Sequence, residues 1–313
     1  MKLLIGYDGS QFADEALDDL ARAGLPPAGQ AEVLAVADVL LPPAHEGAAA
    51  VDLPAGLVKA IATAHEAVEE AQAIAERGAD RLRDVLPGWS VAAHGIADSP
   101  AWAIIKRADE WPADLILVGA QGHGFWQRMM GSISSMVVAE AHCSVRVARR
   151  VEARSAGEAR SGDSEAVNII VAVDGSDHAA RAVETVAGRD WPQGSTAHVV
   201  AIVDAKLDGA LAAGVDAARR WAEEIGLELD GGDAWVRHMA DRSAEKLRQH
   251  GLEAHAVVRE GNPKQLLIDE AEQRDADVIF MGARGLSRVE RVLLGGMSRV
   301  VVARAPCTVE IVR

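Results

Sequence analysis

The sequence predicts an α/β protein of two tandem halves, each an open, mostly parallel five-stranded sheet flanked by helices. Three observations carry this expectation. Short aliphatic runs alternate with longer amphipathic ones along the chain, the pattern of βαβ units around a parallel sheet. Segments also recur in register: Lys2–Ser10 as Asn168–Ser176, Asp98-Ser99-Pro100 as Gly261-Asn262-Pro263, and Ala113–Ile116 as Ala276–Ile279. The last two matches share one offset of 163 residues, which marks a duplicated domain. Finally, the join at 151–166 is rich in Ser, Gly, Ala, Glu and Arg with no apolar periodicity. It reads as a flexible linker between halves 1–150 and 167–313.

The elements follow in order. Strands are expected at Leu3–Tyr7, Glu32–Ala37, Ser90–Ala93, Leu115–Gly119 and Val145–Ala148 in the first half. In the second they are expected at Ile169–Val173, His198–Val203, Ala254–Val258, Val278–Gly282 and Val309–Val312. Nearly continuous apolar runs suit strands covered on both faces. Ser10 can cap a helix through Leu20, and Ser176 does the same for its twin. Pro100 opens a helix through Glu110, a place where proline is tolerated, and Pro263 repeats that role. Leu57–Val85 is helical by composition. Its counterpart, about Ala205–His250, breaks at Gly231-Gly232 into two pieces, and Trp221 and Trp235 within it read as packing residues.

Composition narrows the class. The 313 residues suffice for two domains with their own cores. At 49% hydrophobic but only 4% aromatic, those cores must be aliphatic. A net charge of −15 argues against partners that are nucleic acid or anionic membrane. It does not bar a small anion held by local N–H groups. Cys143 and Cys307 supply no disulfide framework and no metal spacing. They read as small buried residues, with thiols meeting across a pseudo-twofold axis as the alternative. The N-terminus is unlike a signal peptide and no run has the length of a membrane span, so a cytoplasmic protein is expected.

Two glycine loops could carry chemistry. One is Gly282-Ala283-Arg284-Gly285, nine residues, then Gly295-Gly296-Met297-Ser298. The other is Gly119-Ala120-Gln121-Gly122, eight residues, then Gly131-Ser132-Ile133-Ser134. Each joins the end of a strand to the start of a helix, the parts of a backbone anion cradle. Gly119 and Gly282 are expected where the backbone passes close to whatever lies above the sheet, and Gly122 and Gly285 where a turn needs positive φ. Gly131 and Gly295 open a helix whose first N–H groups point outward, and Ser132, Ser134 and Ser298 could add hydroxyl donors. Asp8 and Asp174, at the end of the first strand of each half, can accept from an amine or ribose hydroxyl, or simply close an Asx turn.

Together these motifs resemble the universal stress protein family, in tandem form, over the whole chain apart from the linker and parts of the long helices. The resemblance implies a Rossmann-like, nucleotide-binding-type fold and a stress-response role. It implies a pattern G-x2-G-x9-G-[S/T] that holds ATP, with magnesium as the nucleotide's companion. Carried over, the second half would use Asp174, Ile202, Gly282, Gly285, Gly295, Gly296, Met297 and Ser298. The first would use Asp8, Val36, Gly119, Gly122, Gly131, Ser132 and Ser134. The family's final strand commonly pairs with its twin across a dimer axis. Here the two could pair within the chain as a pseudo-dimer, which leaves a homodimer optional.

Both loops depart from the pattern. The second keeps the spacing but has Gly296 in place of Ser or Thr. The first keeps Ser132 but is one residue short, and carries bulky Phe125, Trp126, Met129 and Met130. Since backbone N–H groups do most of the holding, geometry should outweigh one hydroxyl, and the second site is favoured. Arg284, Arg288 and Arg291 could also meet phosphates there, against Arg128 alone in the first loop. His123 reads as a turn histidine. With no Walker A lysine, nucleophile elbow or nucleophile–base pair, the protein is expected not to be an enzyme, any ATP hydrolysis being slow and incidental. A nucleotide-dependent module that selects a protein partner is one reading. A scaffold of the same fold with degenerate cradles is the other.

Overall fold

In the computed structural model the described residues are 1–39, 55–120, 130–149, 166–203, 232–285 and 294–313. Outside them lie linker residues 151–165, Gly122, His123, Phe125, Trp126, Arg128, Met129, Trp221, Gly231, Arg288 and Arg291. The first half runs β1 (Lys2–Gly6), α1 (Gln11–Asp19), β2 (Gly29–Ala37), α2 (Ala55–Val85), β3 (Trp89–Ala97), α3 (Pro100–Glu110), β4 (Leu115–Gly119), α4 (Ser132–Glu140) and β5 (Ser144–Ala148). The second runs β6 (Asn168–Val173), α5 (Asp177–Ala187), β7 (Thr196–Val203), α6 (Gly232–Gln249), β8 (Glu253–Glu260), α7 (Pro263–Gln273), β9 (Val278–Gly282), α8 (Gly296–Arg304) and β10 (Thr308–Val312).

The strands form one sheet in the order β3-β2-β1-β4-β5-β10-β9-β6-β7-β8. Pairing is parallel inside each half, and β5 meets β10 antiparallel with Arg146 opposite Glu310. The expectation of two separate five-stranded sheets is therefore refined. Each half has its five strands, but their last strands pair and satisfy each other's edges. In both halves the strand order turns back between the first and fourth strands, β1 and β4 or β6 and β9. This switch in direction opens a crevice beyond the strands' carboxyl ends, where open α/β sheets bind ligands.

Period-two alternation explains the layering. Leu3 and Ile5 point to a core under α1 and α2, while Leu4 points to the opposite face. That opposite face holds one apolar cluster shared by both halves, including Ile104, Val137, Leu267 and Val301. The other face carries two separate clusters, one per half. Helices bury matching stripes: Ala179, Ala182, Val183 and Val186 on α5, at helical spacing. Phe280 is fully buried in the second half, contributing roughly 2–3 kcal/mol by area alone. The outer edges are blunted by arginines from the long helices. Arg83 Nη2 donates to Val91 O (3.0 Å) on β3, and Arg248 Nε to Ala254 O (2.9 Å) on β8.

Two further arginines tie the halves together. Arg149, just after β5, donates to Val302 O at 3.1 Å near the end of α8. Arg313, just after β10, donates to Val138 O at 2.6 Å in α4 and to Cys143 O at 3.1 Å. The register also settles the cysteines. Cys143 precedes β5 and Cys307 precedes β10, and the strands run antiparallel, so the thiols sit at opposite ends of the pairing, about 20 Å apart. They do not meet across the axis. Burial raises both thiol pKa values, Cys143 to about 11, which leaves inert protonated groups.

Candidate functional site

The crevice of the second half is assembled from three turns. The first follows β6. Asp174 Oδ1 accepts from Ser176 N at 3.0 Å, so one carboxylate oxygen closes the Asx turn. Gly175 takes φ +83° there, as Gly9 takes +72° in the first half. Only glycine adopts this readily, and in both turns a helix side chain lies close over it. A Cβ at Gly175 would stand 2.8 Å from Trp235, and one at Gly9 3.3 Å from Arg77 and Ile74. Ser176 then caps α5 by accepting from Ala179 N at 3.2 Å, and its hydroxyl reaches Arg284 O at 3.4 Å.

The second turn follows β9, where one expectation is met and one is changed. A Cβ at Gly282 would meet His178 Cβ at 2.6 Å and the His178 carbonyl carbon at 2.7 Å. What passes close above that glycine is helix α5. Gly285 does not adopt positive φ. Its constraint is contact, since a Cβ there would stand 2.6 Å from Asp174 Oδ2. The carboxylate of the first turn and the second glycine of the loop thus touch.

The third turn is the start of α8. Gly295 N donates to Ala283 O at 2.8 Å, as Gly131 N does to Ala120 O. Neither glycine offers a side-chain cap to the helix it opens. Helices α1, α5 and α7 each have such a cap, from Ser10, Ser176 and Asn262. The first N–H groups of α8 (Gly296, Met297, Ser298) and of α4 (Ser132, Ile133, Ser134) lack intrahelical acceptors by geometry and add the helix dipole to their donors. The serine hydroxyls, by contrast, have other work. Ser298 Oγ donates to Gly282 O at 3.1 Å, and Ser134 Oγ to Gly119 O at 2.6 Å. These bonds tie helix start to strand end, which corrects the idea that Ser134 and Ser298 offer their hydroxyl protons outward. Ser132 is exposed at the start of α4.

Val36 and Ile202 lie late in β2 and β7, half-buried at the edge of the shared core. Met297 and Ala172 pack against the same cluster. Asp8 repeats the Asx turn of Asp174, accepting from Ser10 N at 3.0 Å. The first half therefore brings together the same backbone parts, Gly122 lying outside the described residues.

The electrostatics of the two crevices differ. The first two turns of α5 carry His178 and Arg181, whose guanidinium contacts His178 Nδ1 at 2.7 Å. Burial, then Arg181 and Arg284, lower the His178 pKa. The matching positions of α1 are Phe12 and Glu15. Sequence reading missed His178 and Arg181, although their place two and five residues after the Ser176 cap was legible. Arg77 was not legible, since it comes from a distant helix.

This combination of duplicated switch-point crevices and uncapped glycine starts has relatives. The model of the universal stress protein family matches residues 1–149 and again 167–313. The chain belongs to the universal stress protein family. A universal stress protein of Thermus aquaticus is 34% identical over 151 residues, covering 46% of this chain and 97% of its own. One from Methanothermobacter thermautotrophicus is 50% identical over 88 residues, 25% of this chain and 60% of its own. Among solved structures, a universal stress protein from Archaeoglobus fulgidus superimposes with a TM-score of 0.60 at 21% identity, covering 100% of this chain and 96% of its own. That likeness extends the shared fold to the full tandem arrangement. Among the described residues no helix is long and apolar enough to cross a membrane.

Proposed function

We propose that this universal stress protein is a regulatory module that binds ATP, or a related adenine nucleotide, in the crevice of its second half. The observation that carries the reading is the uncapped start of α8. It stands beside the Asp174–Gly285 contact, with His178, Arg181 and Arg284 close by. In this reading the N–H groups of Gly296, Met297 and Ser298 donate to phosphate oxygens, and the Arg181 and Arg284 guanidinium groups offset phosphate charge. Asp174 accepts from a ribose hydroxyl, and Ile202 packs on the base. Magnesium would accompany the phosphates. Among the described residues no His, Cys, Asp and Glu cluster is placed to hold a metal ion by itself. Binding would alter the choice of a protein partner rather than drive catalysis. The first crevice has Phe12 and Glu15 at the places of His178 and Arg181, and its cation near the Gly9 turn is Arg77.

The engaged hydroxyls of Ser134 and Ser298 favour a second reading, a scaffold that has kept the fold without the ligand. Thermal unfolding of nucleotide-stripped protein separates the two. ATP at a hundred times its Kd should add about 2.7 kcal/mol of stability. Gly285→Val, which crowds Asp174 without entering the core, should abolish the shift. Gly282→Val is a poor probe because it drives α5 off the sheet. No shift at millimolar ATP would leave the scaffold reading standing.

A further inference from the structure

At the centre of the β5–β10 pairing four charged side chains form a line that alternates in sign. Arg146 Nε donates to Asp19 Oδ2 at 2.7 Å, and Arg146 Nη1 to Glu310 Oε2 at 3.0 Å. Arg189 Nη2 completes the line on Glu310 Oε1. The Arg146 and Glu310 side chains are only 2% and 1% exposed. Asp19 and Arg146 belong to the first half, Glu310 and Arg189 to the second. Two bonds cross between halves beside the line: Thr308 Oγ1 to Asp19 Oδ1 at 3.2 Å and Arg189 Nη1 to Ala23 O at 2.8 Å.

The position of this pair is what matters. Val145, Arg146 and Val147 face Ile311, Glu310 and Val309. Their counterparts on the other strand are Val309, Glu310 and Ile311, so the pseudo-twofold axis passes through the Arg146–Glu310 pair. A like-with-like pairing of two first halves in this register would put Arg146 opposite its own copy. Two second halves would put Glu310 opposite its own copy. The alternating line (−, +, −, +) would become −, +, +, − or +, −, −, +, with like charges meeting in the driest part of the interface. A buried charge that loses its partner is strongly penalised.

We propose that the Arg146–Glu310 pair is a pairing code: the last-strand edge of each half accepts the opposite half and rejects its own kind. The partner that fits the β5 edge is a strand with a carboxylate at the axis, which this chain supplies from β10. Backbone pairing alone carries no such preference, because β5 and β10 offer similar apolar neighbours on both sides of the charge.

Cysteine pairs in the full chain test this, with Cys143 and Cys307 replaced by alanine. Val147 faces Val309 only in unlike pairing, so V147C/V309C should oxidise to a bond within one chain. Val145 faces a second copy's Val147 only in like pairing of first halves. After refolding at high concentration, V145C/V147C should give no covalent dimer while Arg146 and Glu310 are present. In an R146M/E310M background the dimer should appear, its share rising at least tenfold. R146Q, which alone removes the like-charge contact between two first halves, replaces that background if the double variant does not refold. Equal dimer yields with and without the charges, zero in both included, would overturn the code.

Discussion

At the scale of single residues, the two glycines that differ from a simple cradle have opposite characters. Gly285 is fixed by contact with Asp174, whereas a Cβ at Gly296 would meet nothing within 4 Å. Gly296→Ser should therefore fold normally and supply the hydroxyl that the family pattern places there. A hydrogen bond to a charged group contributes about 1.5–3 kcal/mol, so ATP should bind on the order of tenfold tighter, read by a binding titration of both proteins. His198 offers a separate prediction in pH. Burial first, then Arg274 and the stacked His255, lower its pKa from 6.5 to about 4. The unfolded chain thus takes up this proton at higher pH than the folded one. The stabilisation is complete above about pH 6.5 and is lost as pH falls toward 4. With partial exposure screening the effect, His198→Asn should remove about 1–2 kcal/mol of acid sensitivity, measured as the difference in unfolding free energy between pH 7 and 4.5.

At the scale of elements, Arg149 and Arg313 act as caps supplied by the opposite half. Each donates to carbonyls at the carboxyl end of the other half's last helix, where the dipole favours a cation. Arg149→Ala with Arg313→Ala should cost roughly 2–5 kcal/mol, seen as a lower midpoint in denaturant with little change in slope. Most elements were legible before the structure. Pro100 and Glu110 bound α3 as expected, and Leu115–Gly119 and Val278–Gly282 are the strands foreseen. Local rules sufficed because capping residues, N1 prolines and aliphatic runs act over a few residues. Strand ends were less legible: β3 extends to Ala97, well past the expected Ala93. Its pairing with β2, in register from Gly29–Trp89 to Ala37–Ala97, holds residues such as His94 and Gly95 that have little strand preference of their own.

At the scale of the whole molecule, duplication was legible but the fusion of the two sheets was only one expected option. The charges that centre it, Arg146 and Glu310, lie at matching places in the two repeats yet have opposite signs, a difference that takes meaning only once the strands are seen face to face. The candidate site was legible in part. Glycine spacing pointed to both crevices, but the true constraints on Gly282 and Gly285, and the inward bonds of Ser134 and Ser298, depend on contacts between segments far apart in sequence. The proposed function requires that one of two similar crevices hold an adenine nucleotide. Titration calorimetry of ATP and magnesium into nucleotide-stripped full chain tests it most directly. One ATP per chain is expected, with the heat abolished by Gly285→Val. No heat, or an unchanged isotherm in that variant, would contradict it.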